Sequence, residues 1–387
     1  MTLLVITLFC LLICAAFITK LALLSMSREQ ISADKINRQQ WPTLSVIIPA
    51  RNEEANIAKS LGSIVAQDYP SDKLEVIVVD DYSEDRTHAI VDQIAADSEI
   101  AVRCVMGRPL PKGWIGKSNA CMAGALEAKG DYLFFIDADT KSEPSMLRAT
   151  IDFMMNKGID MLSFNPRQEM VSKSERMLLP GLFLSIASSM KFKDSNDPSK
   201  EEAIANGQAM LFKRSAYDAV DGHGLVASEI SEDLAFARGM KQRGFKIFWA
   251  FADDLMSTRM YTSAKEIWDG FSKNMNRIMQ CDTKLSVAKG LLTNIVLAWS
   301  PLVLTAVSYF SHQSSGDPQH FASLVLSGLM LAVSIIMYLV LSKELFVPMV
   351  YAFAVPFGIT YQGLILINAY LLSKRKAIQW KGRVIES

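Results

Sequence analysis

Two aspartates separated by one residue follow an apolar segment near the middle of the chain. Residues Tyr132–Ile136 are aromatic or aliphatic, which predicts a buried strand, and Asp137 and Asp139 come directly after it. Two carboxylates this close repel one another unless a positive charge lies between them. Mg²⁺ or Mn²⁺ carrying substrate phosphates is a common source of that charge. Because Asp-x-Asp also arises by chance, its meaning depends on the rest of the sequence.

Two more polar clusters follow apolar segments. Residues 44–48 and 74–79 each predict a buried strand. The polar residues at their ends are Pro49, Arg51 and Glu53 after the first segment, and Asp80 and Asp81 after the second. The stretch from Asp80 to Thr87 opens a predicted helix, so its acids and hydroxyls could bind a base and ribose or could simply cap that helix.

A lysine lies in a glycine-flanked loop between residues 110 and 120. Lys117 stands just ahead of a predicted helix, and a lysine beside a helix amino terminus suits a phosphate. An ordinary surface loop is the alternative. The segment is not a Walker loop, because it lacks the first half of that motif.

A second pair of acids, Glu232 and Asp233, opens a predicted helix over residues 234–243. Acids in a first helical turn are favoured by the helix dipole, with Ser231 as the N-cap. One of the carboxylates could instead be a general base. Arg259 follows on a loop and could supply a cation to a diphosphate leaving group or could be a solvated arginine.

The alternation of predicted strands and helices defines the fold class. Helical spacing in residues 56–67 and 87–96 lies between the apolar strands, which predicts an α/β fold with a mostly parallel sheet and helices on both faces. Ligands of such sheets bind beyond the carboxyl ends of the strands. The clusters at Pro49–Glu53, Asp80–Asp81 and Asp137–Asp139 should therefore converge on one edge.

The apolar start of the chain predicts a membrane anchor. Residues 3–19 form an unbroken apolar run, and Leu21–Leu24 continue it after Lys20. This is near the length needed to cross a bilayer. A cleaved signal peptide is the alternative, but no basic residue precedes the run and no small-x-small site follows it. The basic residues after it place the chain from residue 25 onward in the cytoplasm. They are Lys20, Arg28, Lys35 and Arg38.

Three long apolar segments near the other end also predict membrane helices. They are Leu291–Phe310, Phe321–Leu341 and Phe346–Leu372. The loop at residues 311–320 has no lysine or arginine and should face outward, whereas the basic tail should face the cytoplasm. Those two placements conflict if each segment crosses once, because the two crossings after the loop would return the tail to the outer side. Pro348, Pro356 and Gly358 indicate that the last segment is a broken or re-entrant pair of helices.

Two shorter stretches allow more than one interpretation. Residues 177–190 are apolar but too short to span, so they form either a core helix or an interfacial helix that faces lipid or an apolar acceptor. Residues 264–279 combine apolar and basic side chains, as an interfacial or an amphipathic core helix would. The predicted divisions are an anchor at 1–25, a linker at 26–42, an α/β domain at 43–262, an interfacial helix at 263–284, membrane helices at 285–373 and a basic tail at 374–387.

Composition excludes two classes of protein. Lysine and arginine total 40 and aspartate and glutamate total 40, so no bulk charge favours nucleic acid. The five cysteines are scattered and without metal-ligand spacing, which argues against a disulfide framework or a structural zinc site.

The ordered set of motifs resembles a family 2 glycosyltransferase over about residues 44–262. The residues that carry the resemblance are Ser45–Glu54, Val79–Thr87, Asp137-Ala138-Asp139 and Glu232-Asp233. It implies the fold of nucleotide-diphospho-sugar transferases (GT-A). Three further segments resemble a membrane subgroup that includes hopanoid-associated and carotenoid-acid glycosyltransferases and, more distantly, ceramide glucosyltransferases. They are Leu110–Lys117, Gly270–Asn274 and Trp380–Arg383.

The resemblance implies roles for individual residues. Pro49, Arg51, Glu53, Asp80 and Asp81 would hold the uridine. Lys117 would lie near the nucleotide and Asp137 would contact the sugar nucleotide, while Asp139 would ligate Mg²⁺ or Mn²⁺. Asp233 would be the catalytic base, with Glu232 beside it. Arg259 would contact the diphosphate, although Thr258-Arg259-Met260-Tyr261 departs from the Gln-x-x-Arg-Trp motif of processive members.

The resemblance thus implies a membrane-bound, inverting transfer of a sugar from a nucleotide sugar, of UDP type, to a hydrophobic lipid. Its partners would be the sugar nucleotide, a lipid acceptor and the bilayer, with no nucleic acid. The enzyme would be a multi-pass protein of the cell membrane with its catalytic domain in the cytoplasm. A processive polysaccharide synthase and a membrane scaffold with a decayed site are the alternatives.

Overall fold

The computed structural model of the chain describes residues 1–26, 28–34, 36, 38–273, 275–375, 379–380 and 383–384. These residues form two compact units. We call residues 28–169 and 191–260 the sheet unit. Residues 1–26, 170–190 and the chain from residue 261 onward are the helical unit.

Ten strands lie in the sheet unit. They are β1 (Leu44–Ala50), β2 (Leu74–Asp80), β3 (Ala101–Met106), β4 (Tyr132–Ile136), β5 (Thr140–Ser142), β6 (Met161–Asn165), β7 (Arg167–Gln168), β8 (Ala209–Lys213), β9 (Ile247–Phe251) and β10 (Met256–Thr258). Seven form the main sheet in the order β3-β2-β1-β4-β8-β6-β9. Strand β8 runs antiparallel to β4 and β6, and the other pairings are parallel. A small sheet has the order β5-β10-β7.

Helices cover the sheet and build the helical unit. In chain order they are α1 (Thr2–Met26), α2 (Ile57–Val65), α3 (Thr87–Ala96), α4 (Gly116–Glu127), α5 (Met146–Lys157), α6 (Lys173–Ser189), α7 (Phe192–Asn196), α8 (Arg214–Asp218), α9 (Glu232–Gln242), α10 (Ala264–Phe271), α11 (Met275–Ile278), α12 (Lys284–Ser315), α13 (Pro318–Glu344) and α14 (Val355–Arg375). Short 3₁₀ helices occupy Ser71–Lys73, Gly222–Val226 and Met349–Ala354.

The side chains of the parallel strands divide between two cores. In β1, Val46 and Ile48 face a core that includes α2 and α5, whereas Ile47 faces a second core that includes α4 and α9. A strand buried on both faces needs apolar residues at successive positions, which explains why these segments are uniformly hydrophobic. The predicted α/β architecture with helices on both faces is confirmed.

Register aligns the carboxyl ends of three neighbouring strands. Ala50 of β1 pairs with Asp80 of β2, and β4 pairs with β1 on its other side. The residues that follow β1, β2 and β4 therefore lie along one edge of the sheet, as the sequence predicted.

The segment before β1, predicted as a linker, takes part in the sheet unit. Gln30 forms a parallel bridge with Phe251 of β9, and Ile31 is buried. The backbone N–H of Ile31 donates to the Phe251 carbonyl at 2.8 Å. An apolar residue at position 31 makes this docking favourable, because it fills space beside the edge strand.

In the part of the chain that the structure describes, four helical segments are long and apolar enough to cross a membrane. They are Thr2–Met26, Lys284–Ser315, Pro318–Glu344 and Met349–Lys374. The last consists of a 3₁₀ helix over Met349–Ala354 followed directly by α14, so the predicted interruption is a change of helix type near Pro356. Lys376 and Lys381 of the predicted basic tail lie outside the described residues, and the backbone of β11 (Gln379–Trp380) pairs with that of β12 (Arg383–Val384).

Helix α6 belongs to the helical unit and packs against α14. Gly181 and Gly358 allow the close approach, because a Cβ on Gly181 would lie 2.3 Å from the Val355 carbonyl oxygen. Leu179 and Leu182 are buried in the same cluster as Ile365 of α14. The segment was predicted as either a core helix or an interfacial helix, and its buried leucines fit the core helix. The contact between two glycines is typical of membrane helix pairs.

The predicted single helix over residues 264–279 is two helices, α10 and α11. Helix α10 ends at Phe271, and the Ser272 hydroxyl accepts a hydrogen bond from Asn368 Nδ2 of α14 at 2.9 Å. This contact with α14 fixes the chain where the first helix ends. The pattern of apolar and basic side chains in residues 264–279 gave no sign of the break between α10 and α11.

We predict that Gly181→Ala lowers the free energy of unfolding of the full chain by about 1–3 kcal/mol, because the added methyl group has no room against α14. The thermal midpoint of the purified protein in detergent measures the change. Gly328→Ala is the matched control, since position 328 of α13 has nothing within 4 Å and should tolerate the methyl group. Equal midpoints for the two variants would contradict this packing.

Candidate active site

Asp137 and Asp139 leave the carboxyl end of β4 in a fixed turn. The Asp137 N–H donates to the Gln208 carbonyl at 3.3 Å, and its own carbonyl accepts from Thr140 Oγ1 at 2.8 Å. Strand β5 begins at Thr140, the residue directly after Asp139. These backbone contacts hold the two carboxylates at the sheet edge without using the carboxylates themselves.

Lys117 joins the acidic clusters of β4 and α9. It lies in the first turn of α4, and its Nζ is 2.8 Å from Asp137 Oδ1 and 3.0 Å from Glu232 Oε1. Burial alone would lower the pKa of Lys117, but the two carboxylates outweigh it and hold that pKa well above its usual range. The lysine is therefore a permanent positive charge between two acids that are far apart in sequence.

Asp233 lies beside this ion pair and accepts two backbone hydrogen bonds. Its Oδ2 accepts from the Gly207 N–H at 2.9 Å and its Oδ1 from the Leu234 N–H at 2.8 Å. Burial, and then the negative charge of Glu232, raise the pKa of Asp233 to about 6. Ser231, the predicted N-cap, makes no capping hydrogen bond with its hydroxyl.

The loop Asn206–Gln208 was not singled out from the sequence, yet it connects the acidic groups. Because β8 runs antiparallel to β4 with Ala209 opposite Ile136, the residues before β8 lie beside Asp137. The Gly207 carbonyl accepts from Lys117 Nζ at 3.4 Å. A Cβ at position 207 would lie 3.1 Å from both Glu232 Oε1 and Lys117 Nζ, so glycine leaves room for these side chains. The glycine directly before a predicted apolar strand was the signal available.

Asp139 has a buried carboxylate oxygen with no partner. Its Oδ1 makes no hydrogen bond with the described residues. Burial, together with the charges of Asp137 and Glu53, raises the pKa of Asp139 to about 7. An acidic oxygen that is desolvated, surrounded by like charges and without a donor suits a divalent cation, so the residues present fit a metal ion.

Strand pairing places Arg259 next to Asp139. In the antiparallel pair of β5 and β10, Thr258 lies opposite Thr140. Arg259 follows Thr258 at the end of β10, and Asp139 precedes Thr140 at the start of β5, so these two residues occupy the next pair of positions. Arg259 is half-buried. The backbone of Arg259 thus lies beside that of Asp139 at the end of the small sheet.

The ends of β1 and β2 form a second, adjoining part of the site. Arg51 Nη1 donates to the Asp81 carbonyl at 2.8 Å and lies 3.6 Å from Asp81 Oδ2. Asp80 and Asp81 are almost completely buried. Asp80 Oδ1 accepts from the Ser83 N–H at 2.8 Å, and the Glu53 N–H donates to Thr87 Oγ1 at 2.8 Å. The segment after β2 caps α3 through Asp85, whose Oδ1 accepts from the Thr87 N–H at 2.9 Å.

The structure therefore brings the predicted residues together in two groups. Lys117, Asp137, Glu232 and Asp233 share direct contacts or a common contact at Gly207. Arg51 and Asp81 are in direct contact at the ends of β1 and β2, where Asp80 also lies and where Pro49 pairs in register with Val79. Glu53 belongs to this edge and lies close enough to Asp139 to raise its pKa.

A cluster of His88, Asp92 and Cys104 lies behind Asp80, with ligand atoms within 4.8 Å of one another. His88 Nδ1 is 3.2 Å from Asp80 Oδ2 and 3.4 Å from Cys104 Sγ, while its Nε2 is 3.4 Å from Asp92 Oδ2. The two ring nitrogens thus face different partners, and one metal ion cannot use both. Burial and the nearby acids also raise the pKa of Cys104 to about 12, which disfavours the thiolate that metals bind.

Comparisons with known proteins agree with this geometry. Residues 45–221 match the model of the family "Glycosyl transferase family 2". A 4,4'-diaponeurosporenoate glycosyltransferase of Staphylococcus haemolyticus is 29% identical over 252 residues, which cover 64% of this chain and 65% of that protein. The probable glycosyltransferase YdaM of Bacillus subtilis is 38% identical over 120 residues, 31% of this chain and 28% of that protein.

A solved structure shares the fold. The mannosyltransferase PcManGT from Pyrobaculum calidifontis, in complex with GDP-Man and Mn²⁺, superposes with a TM-score of 0.54 at 18% identity, covering 95% of this chain and 98% of that one. This likeness shows the fold of GT-A glycosyltransferases. The matched family model covers residues 45–221, so this part of the chain, which carries the acidic motifs after β1, β2 and β4, is similar to glycosyl transferase family 2.

Proposed function

We propose that the protein transfers a sugar from a nucleotide sugar, of UDP type, to a hydrophobic lipid acceptor with inversion at the anomeric carbon. One observation carries the proposal: Asp233, a buried acid with a raised pKa, lies beside the Lys117–Asp137 pair that follows β4. A base next to a diphosphate site is the arrangement that direct displacement needs.

The donor half of the reaction uses the edge formed by β1, β2 and β4. Arg51, Glu53, Asp80 and Asp81, with Pro49, hold the nucleoside, and Lys117 and Arg259 attract the diphosphate. Asp137 contacts the sugar nucleotide. Mg²⁺ or Mn²⁺, held by Asp139, would supply positive charge that stabilises the departing diphosphate. The buried Oδ1 of Asp139 without a hydrogen-bond donor supports that assignment.

The acceptor half depends on Asp233. The acceptor hydroxyl attacks the anomeric carbon from the face opposite the diphosphate, so that a new glycosidic bond forms as the bond to the diphosphate breaks. The bonding electrons leave with the diphosphate, and the proton passes to the Asp233 carboxylate. A carboxylic-acid acceptor that is already ionised would need this base far less.

The helical unit supports a lipid acceptor. Among its described residues the chain has four helices that are long and apolar enough to span a membrane, and relatives matched over about two thirds of their length are named for a carotenoid acid. A hydrophobic acceptor dissolves in the bilayer, so the reaction has to take place at its surface. We therefore infer a multi-pass protein of the cell membrane whose sheet unit faces the cytoplasm. Thr258-Arg259-Met260-Tyr261 favours single transfer over processive synthesis.

We predict that Asp233→Asn lowers transfer to a lipid hydroxyl by at least about a hundredfold while UDP still binds in the presence of Mn²⁺. Asp139→Asn should instead abolish Mn²⁺-dependent UDP binding. Transfer is measured from a labelled donor and binding by calorimetry, both with the full chain in lipid nanodiscs. An unimpaired Asp233→Asn variant would disprove the base assignment.

The pH dependence follows from the pKa of Asp233, which burial and Glu232 raise to about 6. A base must be deprotonated, so transfer at saturating Mn²⁺ should be constant above about pH 7 and should fall about tenfold per pH unit below 6. Glu232→Gln removes the neighbouring negative charge and should move this decline to lower pH. A wild-type profile that stays flat down to pH 4.5 would contradict the role of Asp233.

Gly207 keeps the base, the lysine and Glu232 in their places. We predict that Gly207→Ala reduces kcat/KM for transfer by about ten- to a hundredfold, because its methyl group would displace Lys117 and Glu232. Gly62→Ala in α2 is the control, since nothing lies within 4 Å of that position. Transfer by the two variants at the same rate would show that the loop does not position the acids.

A further inference from the structure

An aromatic side chain next to the nucleotide-binding acids has no part in the reaction proposed above. Tyr82 directly follows Asp80 and Asp81 at the end of β2, and 45% of its surface is exposed. Among the residues that the structure describes, its ring stacks on no other ring and its hydroxyl makes no hydrogen bond. Packing of the folded chain therefore does not account for a tyrosine at this position.

The backbone conformation of Tyr82 is unusual for a tyrosine. Its φ is 58°, in the left-handed region that glycine and asparagine adopt readily and that bulky side chains avoid. Such strain persists only where the surroundings enforce it, and it concentrates at functional sites. A glycine or asparagine would form the same turn at lower cost.

Hydrogen bonds on both sides of Tyr82 enforce this conformation. The Asp81 N–H donates to the Ala50 carbonyl at 2.8 Å, and the Ser83 N–H donates to Asp80 Oδ1 at 2.8 Å. Ser83 Oγ also accepts from the Asn52 N–H at 2.9 Å, which joins the turn after β2 to the turn after β1. The backbone that carries the ring is thus fixed before any ligand binds.

We propose that the ring of Tyr82 is the stacking surface for the nucleobase of the donor. The inference rests on the proposed function, which places a nucleoside diphosphate at this edge. Strand β2 lies two strands from β4, so the end of β2 that carries Tyr82 is about 10 Å from the end of β4, a separation that a ribose and a diphosphate bridge. A flat aromatic ring stacks on a base without reading its hydrogen-bonding groups.

The test measures binding of two probes to the full chain in nanodiscs with Mn²⁺, by calorimetry. One probe is UDP; the other is 5,6-dihydro-UDP, which keeps the hydrogen-bonding edge of uracil but has no aromatic ring. Tyr82→Asn is the backbone-matched variant, because asparagine tolerates a positive φ. Tyr82→Phe keeps the ring and removes the hydroxyl.

Stacking predicts that Tyr82→Asn weakens UDP binding at least about fivefold, with the thermal midpoint unchanged or raised. Tyr82→Phe should bind UDP with nearly the wild-type affinity. Dihydro-UDP should bind the wild type and Tyr82→Asn equally well.

Two results would overturn the stacking role while leaving the proposed function intact. One is an Asn variant that binds UDP as tightly as the wild type. The other is an Asn variant that loses UDP and dihydro-UDP affinity to the same extent, as a purely structural role would produce. A wild type that binds no UDP would overturn the proposed donor, and the stacking role with it.

Discussion

Repulsion among carboxylates is the constraint on which the rest of this site depends. Five acids converge near the end of β4, and Lys117 makes direct ion pairs with only Asp137 and Glu232 among them. The other three acids are Glu53, Asp139 and Asp233. Burial, and then the excess of negative charge, raise the pKa values of Asp139 and Asp233. A site of this kind attracts cations, and it keeps a buried carboxylate ready to accept a proton near neutral pH.

The sheet topology brings backbone N–H and carbonyl groups to the same edge, where they hold the charged side chains in place despite this repulsion. Parallel pairing of β1 with β2 and β4 fixes three strand ends side by side, and the reversed strand β8 returns the loop Asn206–Gln208 to the same edge. The N–H of Gly207 then donates to Asp233, and its carbonyl accepts from Lys117. Backbone geometry and hydrogen bonds thereby position the charged groups together with the ion pairs of Lys117, as preorganised electrostatic sites require.

The sequence predicted which acids lie at the edge of the sheet, but it did not predict the contacts that link them to Lys117 and Gly207. Asp137, Asp139, Asp80 and Asp81 could be placed because each follows an apolar strand, and parallel strands bring their ends together. The link from Lys117 to Glu232 could not be predicted, since it depends on the crossing of α4 and α9 over the sheet. The contribution of Gly207 depends on the antiparallel direction of β8, which apolar residues alone do not reveal. The break between α10 and α11 coincides with a tertiary contact that the sequence does not reveal, the hydrogen bond from Asn368 to Ser272.

We propose that the nucleotide-sugar site at the edge formed by β1, β2 and β4 serves a lipid acceptor. The most direct test of this proposal incubates membranes containing the full chain with labelled nucleotide sugars and a host lipid extract, and identifies the labelled product by mass. The expected product is a single sugar joined to an apolar lipid, formed only when Mg²⁺ or Mn²⁺ is present. A long polysaccharide as the labelled product, or a donor pool that stays intact with every sugar nucleotide, would contradict the proposal.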